Sequence, residues 1–242
     1  MLKLNNISKS YNKGAIKAVD NINLEIKTGE IFGFLGPNGA GKTTTIKMIV
    51  GLLKPDEGKI ILDGVDVWEE SLKAKSMISY VPDNPEIYDR LNGIEYLNFI
   101  ADMYGISKEE RKEKIEYYSK LFNIEDSLGD IISSFSHGMK QKLVLTSALI
   151  NNPNLFILDE PMVGLDPKSS FNLKELMRKM CDEGKIVFFS THVMEVAEKL
   201  CDRIAIINKG KIIAFGTMDE LRAHAKERES LENIFLELTE DE

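Results

Sequence analysis

Apolar positions in the first part of the chain come in short alternating or continuous runs. ISKSY, INLEI and EIFGFLG carry β-type patterns, separated by turn-forming Asn, Gly and Lys. The period then lengthens. In KTTTIKMIVGLL the apolar residues Ile46, Ile49, Val50 and Leu53 recur at spacings of three and four, which predicts a helix that KPDEG ends. GKIILDGVDV reads as strand, Asp-Gly turn, strand. From roughly 91 to 130 the pattern changes again. GIEYLNFIADMYGI and KEERKEKIEYYSKLFNI have helical periodicity and charged faces, the mark of a helical insert. Beyond it, helices are expected at 140–151, 171–180 and 193–200, and strands at 155–158, 186–190 and 203–208. NKGKIIAFG reads as a hairpin, and TMDELRAHA and SLENIFLELTEDE as short acidic helices. Alternating strands and helices predict an α/β fold with a mainly parallel sheet flanked by helices. The early hairpins add a small antiparallel β subdomain, and the central segment adds an inserted helical subdomain.

Length and composition narrow this only a little. A chain of 242 residues suits one large domain, or one domain carrying an inserted subdomain. No window approaches ~18 uninterrupted apolar residues, so no segment reads as a membrane span. MLKLNNISKSYNKG has no apolar core and does not read as a signal peptide. The net charge of −8 argues against a large nonspecific nucleic-acid surface, because affinity for phosphate backbones comes mainly from Lys and Arg. A local basic patch stays open. The two cysteines, Cys181 and Cys201, form no CxxC and have no clustered His, so reduced thiols in or near a core are expected, and with them an intracellular protein.

One stretch carries much sharper chemistry. GPNGAGKT, Gly36 to Thr43, fits G-x-x-x-x-G-K-[ST] in full; it follows the apolar run IFGFL and opens a helical pattern. Gly36, Gly39 and Gly41 let the backbone turn tightly and bring N–H groups to phosphate oxygens, and the helix N-terminus adds positive potential. Lys42 supplies a point charge to the β- and γ-phosphates. Thr43 offers a hydroxyl to Mg²⁺, and Thr44 a second hydroxyl nearby. The motif specifies a nucleoside triphosphate without separating ATPase, GTPase and small-molecule kinase.

NLFILDEP narrows the choice. Leu155 to Leu158 read as a buried strand with Asp159 and Glu160 at its C-terminal end, the end that faces the ligand crevice of a parallel sheet. Asp159 is placed to hold Mg²⁺, directly or through water, and Glu160 to orient and deprotonate an attacking water. A GTPase would carry an Asn-Lys-x-Asp base-reading sequence, which is not found. A small-molecule kinase has less need of a helical insert between the two motifs.

With these residues in hand, the chain resembles the ATP-binding subunit of an ATP-binding cassette (ABC) transporter, from about Leu2 to Gly216. GPNGAGKT is similar to the Walker A motif and LFILDE to Walker B. GLDP, Gly164 to Pro167, resembles the D-loop, and STH, ending at His192, the switch-histidine loop. FSHGMKQK, Phe135 to Lys142, stands where the family's Leu-Ser-Gly-Gly-Gln signature falls. GMKQK and the acidic C-terminal LENIFLELT resemble the drug-, peptide- and lantibiotic-exporter branch.

The resemblance implies a P-loop NTPase core over 1–216 with the helical insert at about 88–150, and a short C-terminal helical extension over 217–242. It implies ATP and Mg²⁺ as cofactors. Nucleotide contacts would come from Tyr11, stacking on adenine, and from Gly36, Asn38, Gly39, Ala40, Gly41, Lys42, Thr43 and Thr44. Ser136 and Gly138 would reach the γ-phosphate bound to a partner subunit, and Asp166 would tie the two sites together. Lys42, Glu160 and His192 would be catalytic; Thr43, Asp83 and Asp159 would face the metal. The partners implied are a second copy or a paired ATPase subunit, and a separate polytopic membrane permease, with no nucleic acid. The place implied is the cytoplasmic face of the cell membrane. Tyr11 also reads as an exposed strand tyrosine.

Two departures stand out. Asp83, in YVPDNPEIY, replaces a usual Gln; it either reaches Mg²⁺ through water or serves only as a turn residue. In FSHGMKQK, His137 replaces the first Gly and Met139 the Gln, while Ser136 and Gly138 are kept. The competing readings are a soluble ABC-type ATPase of DNA repair or translation, and a module that binds ATP without hydrolysing it. One cassette, no long heptad array and net acidity weigh against the first. Intact Lys42, Asp159, Glu160 and His192 weigh against the second.

Overall fold

The computed structural model describes residues 1–12, 16–85, 87–224 and 230–240. The expected first turn at 13–15, Glu86 in the segment after Asp83, and parts of the two C-terminal helices (225–229 and 241–242) lie outside the described residues. The strands are β1 Leu2–Tyr11, β2 Ile16–Ile26, β3 Ile31–Leu35, β4 Glu57–Leu62, β5 Val65–Asp66, β6 Ile78–Val81, β7 Leu155–Asp159, β8 Ile186–Thr191, β9 Arg203–Asn208 and β10 Lys211–Gly216. The helices are α1 Lys42–Ile49, α2 Ser71–Met77, α3 Gly93–Met103, α4 Lys108–Leu121, α5 His137–Ile150, α6 Pro167–Asp182, α7 Met194–Leu200, α8 Met218–His224 and α9 Leu231–Glu240.

Two sheets organise them. β2-β1-β4-β5 form an antiparallel sheet of four strands, and β10-β9-β3-β8-β7-β6 form a second of six. In the second, β9, β3, β8, β7 and β6 run parallel and only β10 is antiparallel. Every residue of β3, β7 and β8 is buried, which is why their sequences are near-continuous apolar runs. The two faces of the large sheet feed different cores. Phe32, Phe34, Ile157 and Phe188 pack toward the antiparallel sheet and α1. Val81, Phe156, Leu158 and Phe189 pack toward α5 and α6. This is the α/β P-loop NTPase arrangement expected, with its antiparallel sheet and helical insert.

The insert has its own core, where Tyr96, Leu97, Ile115, Ile124 and Phe135 meet Leu143 and Ile150 of α5. Val144, Leu145 and Leu149 of the same α5 join the sheet-side core. A helix buried on two sides shows weak amphipathicity, and α5 is apolar around most of its circumference after Lys142. The C-terminal helices are not loosely appended. Leu221, Leu231 and Ile234 share a core with Ala197 of α7 and Ile204 and Ile206 of β9. Among the described residues, no helix is long and apolar enough to cross a membrane.

Several boundaries differ from the pattern-based expectation. α1 stops at Ile49, because Gly51 follows at φ 70 and the Leu52 and Leu53 N–H groups fold back onto the Lys47 carbonyl. KPDEG therefore follows the end rather than causing it. α5 begins at His137 and α6 at Pro167, each one residue after a capping side chain, Ser136 and Asp166. α2 and β6 carry no periodic signal that sequence reading can use. α2 buries only Ala74 outright, and β6 is an edge strand of four residues, two of them Ser79 and Tyr80.

The rings of Phe32 and Phe34 on β3 lie 5.7 and 5.3 Å from that of Phe188 on β8, side by side on the face of the large sheet that packs toward the antiparallel sheet. Phe188→Ala is expected to cost about 3–5 kcal/mol in urea unfolding, because it leaves a cavity in a packed core. Leu72→Ala, at a side chain 86% exposed, is expected to shift stability by less than about 0.5 kcal/mol.

Candidate functional site

The large sheet brings the C-terminal ends of its parallel strands together, and Lys42, Thr43, Asp159, Glu160 and His192 gather there. β3 leads straight into the turn 36–41, which α1 follows. Gly41 caps α1 at φ 109, and a Cβ there would lie 2.4 Å from the Ala18 carbonyl oxygen of β2. Both facts restrict the position to glycine. The Gly210 N–H donates to the Ala40 carbonyl at 2.9 Å, so the β9–β10 turn backs the loop. Asn38 and Gly39 sit exposed at its tip. Tyr11, 41% exposed, ends β1 opposite Ile16, two residues before Ala18, at the loop end of the antiparallel sheet.

Lys42 is buried. Its ammonium donates to the Gly36 carbonyl at 2.6 Å and to the Pro37 carbonyl at 3.3 Å. Burial pushes its pKa down, against the pull of the Glu160 and Asp159 charges. Asp159, 4% exposed, ends β7. Thr43 Oγ1 donates to Asp159 Oδ2 at 3.4 Å, and Ser190 Oγ donates to Oδ1. Burial pushes the Asp159 carboxyl up; the Ser190 hydrogen bond opposes this, and the nearby Asp83 charge adds to it. Asp83 itself lies exposed just past β6, close enough to act on Asp159 through its field. The donor set here, a hydroxyl and a buried carboxylate, is hard oxygen, the chemistry that suits Mg²⁺.

Glu160 follows at φ 49, a left-handed conformation that costs of order 1–3 kcal/mol for a non-glycine residue. Its N–H donates to the Ser190 carbonyl at 3.1 Å. One carboxylate oxygen, Oε1, meets His192 Nδ1 at 2.9 Å. The Glu160 side chain is 14% exposed and that of His192 63%, so the imidazole covers the acid from the solvent side. His192 lies in the turn just past β8, where Thr191 Oγ1 accepts the Val193 N–H at 3.0 Å.

Ser136 and Gly138 are brought elsewhere. Ser136 caps α5, its Oγ accepting the Met139 N–H at 3.3 Å. Among the described residues neither forms a hydrogen bond to the loop 36–44. Instead the start of α5 faces the turn that follows Glu160. Asp166 caps α6, accepting from the Ser169 N–H at 2.9 Å and Ser169 Oγ at 2.7 Å, and it pairs with Lys142 of α5 at 2.6 Å.

Ser190, Lys142 and Ser169 were not singled out by sequence reading. Ser190 had a signal, since it opens STH on a strand adjacent to β7. Lys142 had none, because its partner lies on another helix. Cys181 and Cys201 are free thiols, buried and partly buried, as expected; burial pushes Cys181 up to about 12.

A family profile described as ABC transporter matches residues 19–163. The Bacillus subtilis linearmycin resistance ATP-binding protein LnrL is 41% identical, with the match covering 91% of this chain and 70% of that protein. The ABC transporter ATP-binding protein NatA of the same species is 36% identical over 98% of this chain and 97% of its own length. Among solved structures, an ATP-binding subunit of an ABC transporter superposes with a TM-score of 0.93 at 33% identity, covering 98% of this chain and 99% of that one. A dimeric ATP-binding cassette in a post-hydrolysis state, bound to ADP and Pi, gives 0.82 at 29% identity over 90% and 98%.

The Lys142 ammonium, then the Ser169 N–H and hydroxyl, hold the Asp166 carboxyl well below the usual carboxylate range. A depressed carboxylate stabilises the fold above its unfolded pKa, and that contribution is lost as pH falls through the folded value. Lys142→Met should therefore raise the Asp166 pKa, read from its carboxyl carbon by NMR. The stability gap between wild type and variant, present at neutral pH, should shrink below about pH 4. An unchanged Asp166 titration would contradict the pairing.

Proposed function

The chain belongs to the ABC transporter family, and we propose that it hydrolyses ATP as one of a pair of subunits, driving transport through a separate membrane-spanning partner. The observation that carries this reading is the convergence at one sheet edge of a glycine loop, a buried Lys42, the Thr43–Asp159 contact and the His192–Glu160 pair.

Each group then has a task. The backbone N–H groups of 36–44 cradle the phosphates. Lys42 exchanges its loop carbonyls for β- and γ-phosphate oxygens, and that negative charge offsets the cost of burying an ammonium. Thr43 and Asp159, with Asp83 through water, are the residues that would hold Mg²⁺, which when bound neutralises charge on the phosphates. Asp83 as a plain turn residue is the other reading of that position. Glu160, with Oε1 held by His192, keeps Oε2 for the attacking water. The water oxygen bonds to the γ-phosphorus, its proton passes to Glu160, and the bond to the ADP oxygen breaks. With Nδ1 on Glu160, His192 keeps Nε2 to meet a phosphate oxygen. Tyr11 stacks on adenine from the neighbouring sheet.

Ser136 and Gly138 act on the nucleotide of a paired subunit. Their separation from the chain's own loop supports this, as does the solved neighbour that is a dimer with ADP and Pi. The division into 1–216, with the insert at about 88–150, and 217–242 belongs to the same reading. The names of relatives, linearmycin resistance and probable multidrug transporter, favour an exporter. The membrane partner would dock between core and insert. A cavity of about 210 Å³ there is lined by Tyr80, Pro82, Ile87, Tyr96, Ile100 and Tyr104 among others. It adjoins one of about 300 Å³ that adds Val50, Leu52 and Lys75. Leu52 and Met103, 65% and 68% exposed, extend an apolar rim. A chain docked there would sit at the cytoplasmic face of the membrane.

Glu160→Gln should bind ATP, lose hydrolysis and accumulate as an ATP-dependent dimer by light scattering; wild-type turnover in that variant would remove Glu160 from its role. Ser136→Arg should abolish hydrolysis without weakening ATP binding to the monomer. Asp83→Gln and Asp83→Ala should differ in the Mg²⁺ dependence of the ATPase rate, and profiles from both that match wild type would exclude a metal role.

A further inference from the structure

We propose that His137 is a positioning residue that links the two nucleotide sites of the paired assembly, by joining the start of α5 to the loop that bears Glu160 of the same chain. This rests on the paired-subunit reading above.

His137 is the first residue of α5 and is exposed, yet its ring is not free. A Cβ built on Gly164 would lie 2.8 Å from His137 Cδ2 and 3.4 Å from Nε2, so the imidazole rests on the Gly164 α-carbon. Gly138 approaches the same residue: a Cβ there would lie 2.4 Å from the Gly164 carbonyl oxygen. Two residues on, Asp166 pairs with Lys142 of α5 at 2.6 Å. The first two turns of α5 therefore touch this turn at three contacts, two on Gly164 and one on Asp166.

That turn leads back to Glu160 with little slack. The Val163 N–H donates to the Glu160 carbonyl and the Leu165 N–H to the Met162 carbonyl, both at 3.3 Å. Glu160 and Gly164 are both held at positive φ, 49 and 79. A short, hydrogen-bonded, strained segment transmits displacement rather than absorbing it. If Ser136 and Gly138 close on a partner's γ-phosphate, the shift of the α5 terminus reaches the Glu160 loop through Gly164. Of the three contacts, one is backbone and one is an ion pair that also caps α6. The His137 ring is the contact that a glycine at this position cannot make.

The test is the ATP dependence of hydrolysis by the purified chain. Wild type should show a Hill coefficient approaching about 2, the number of sites, and His137→Gly should bring it toward about 1. His137→Phe, which keeps a ring over Gly164, should retain cooperativity. Gly164→Ala should clash with the His137 ring and lower activity, and adding His137→Gly should recover part of that loss, a departure from additivity that marks direct contact. ATP affinity of the monomer and the thermal midpoint serve as controls, since a purely structural role would move the midpoint and leave the Hill coefficient. Wild-type cooperativity in His137→Gly, a non-cooperative wild type, or strictly additive effects in the double variant would overturn the proposal. If any of these occurs while Glu160→Gln still dimerises with ATP, only the His137 link falls. If Glu160→Gln fails to dimerise, the paired-site reading falls and takes this one with it.

Discussion

A carboxylate held away from water at the end of a buried strand sets the terms for everything around it. Asp159 closes β7, whose residues are all buried, and burial raises its pKa despite two hydroxyl donors. An anion in that position is costly unless it is hydrogen-bonded or faces a cation. The parallel register supplies the hydrogen bond: Asp159 stands opposite Ser190 on β8. The same pairing carries the Glu160 N–H onto the Ser190 carbonyl and brings His192, two residues further on, within 2.9 Å of Glu160. One strand register thus fixes the carboxylate, the candidate general base and the residue that orients it.

The opposite demand falls on Lys42. Its ammonium is buried in a loop with only carbonyl partners, and its pKa is lowered for the same reason that the Asp159 carboxyl is raised. Two buried groups of opposite sign, each hydrogen-bonded only to neutral groups, face one another across the same strand end. The backbone around it leaves little freedom to relax, since β2 and the β9–β10 turn press on the loop from behind.

α5 is the structural link between this edge and the rest. It contributes to the helical insert's core on one side and to the sheet's core on the other. Its start contacts the turn after Glu160. A helix shared by two cores couples both to this edge, and the groove between core and insert, lined by the half-buried Tyr80 and by Tyr104, lies beside it. The C-terminal helices bear in the same way on α7, which follows His192.

The sequence alone determined the elements whose signal is local. GPNGAGKT carries its own backbone requirements, the buried strands are read from their unbroken apolar runs, and Asp159 and Glu160 are placed by following such a run. Whatever depends on a partner distant in the chain was decided only by tertiary structure. α2 buries too little of itself to produce a pattern, β6 is too short and carries Ser79 and Tyr80 at its centre, and α6 starts at Pro167 because Asp166 caps it, four residues before the first apolar position, Phe171. The pairing of Lys142 with Asp166 and the seating of His137 on Gly164 join an insert-side helix to a loop beyond β7. Spacing along the chain carries no record of such contacts, because they arise where two cores meet and not within either element.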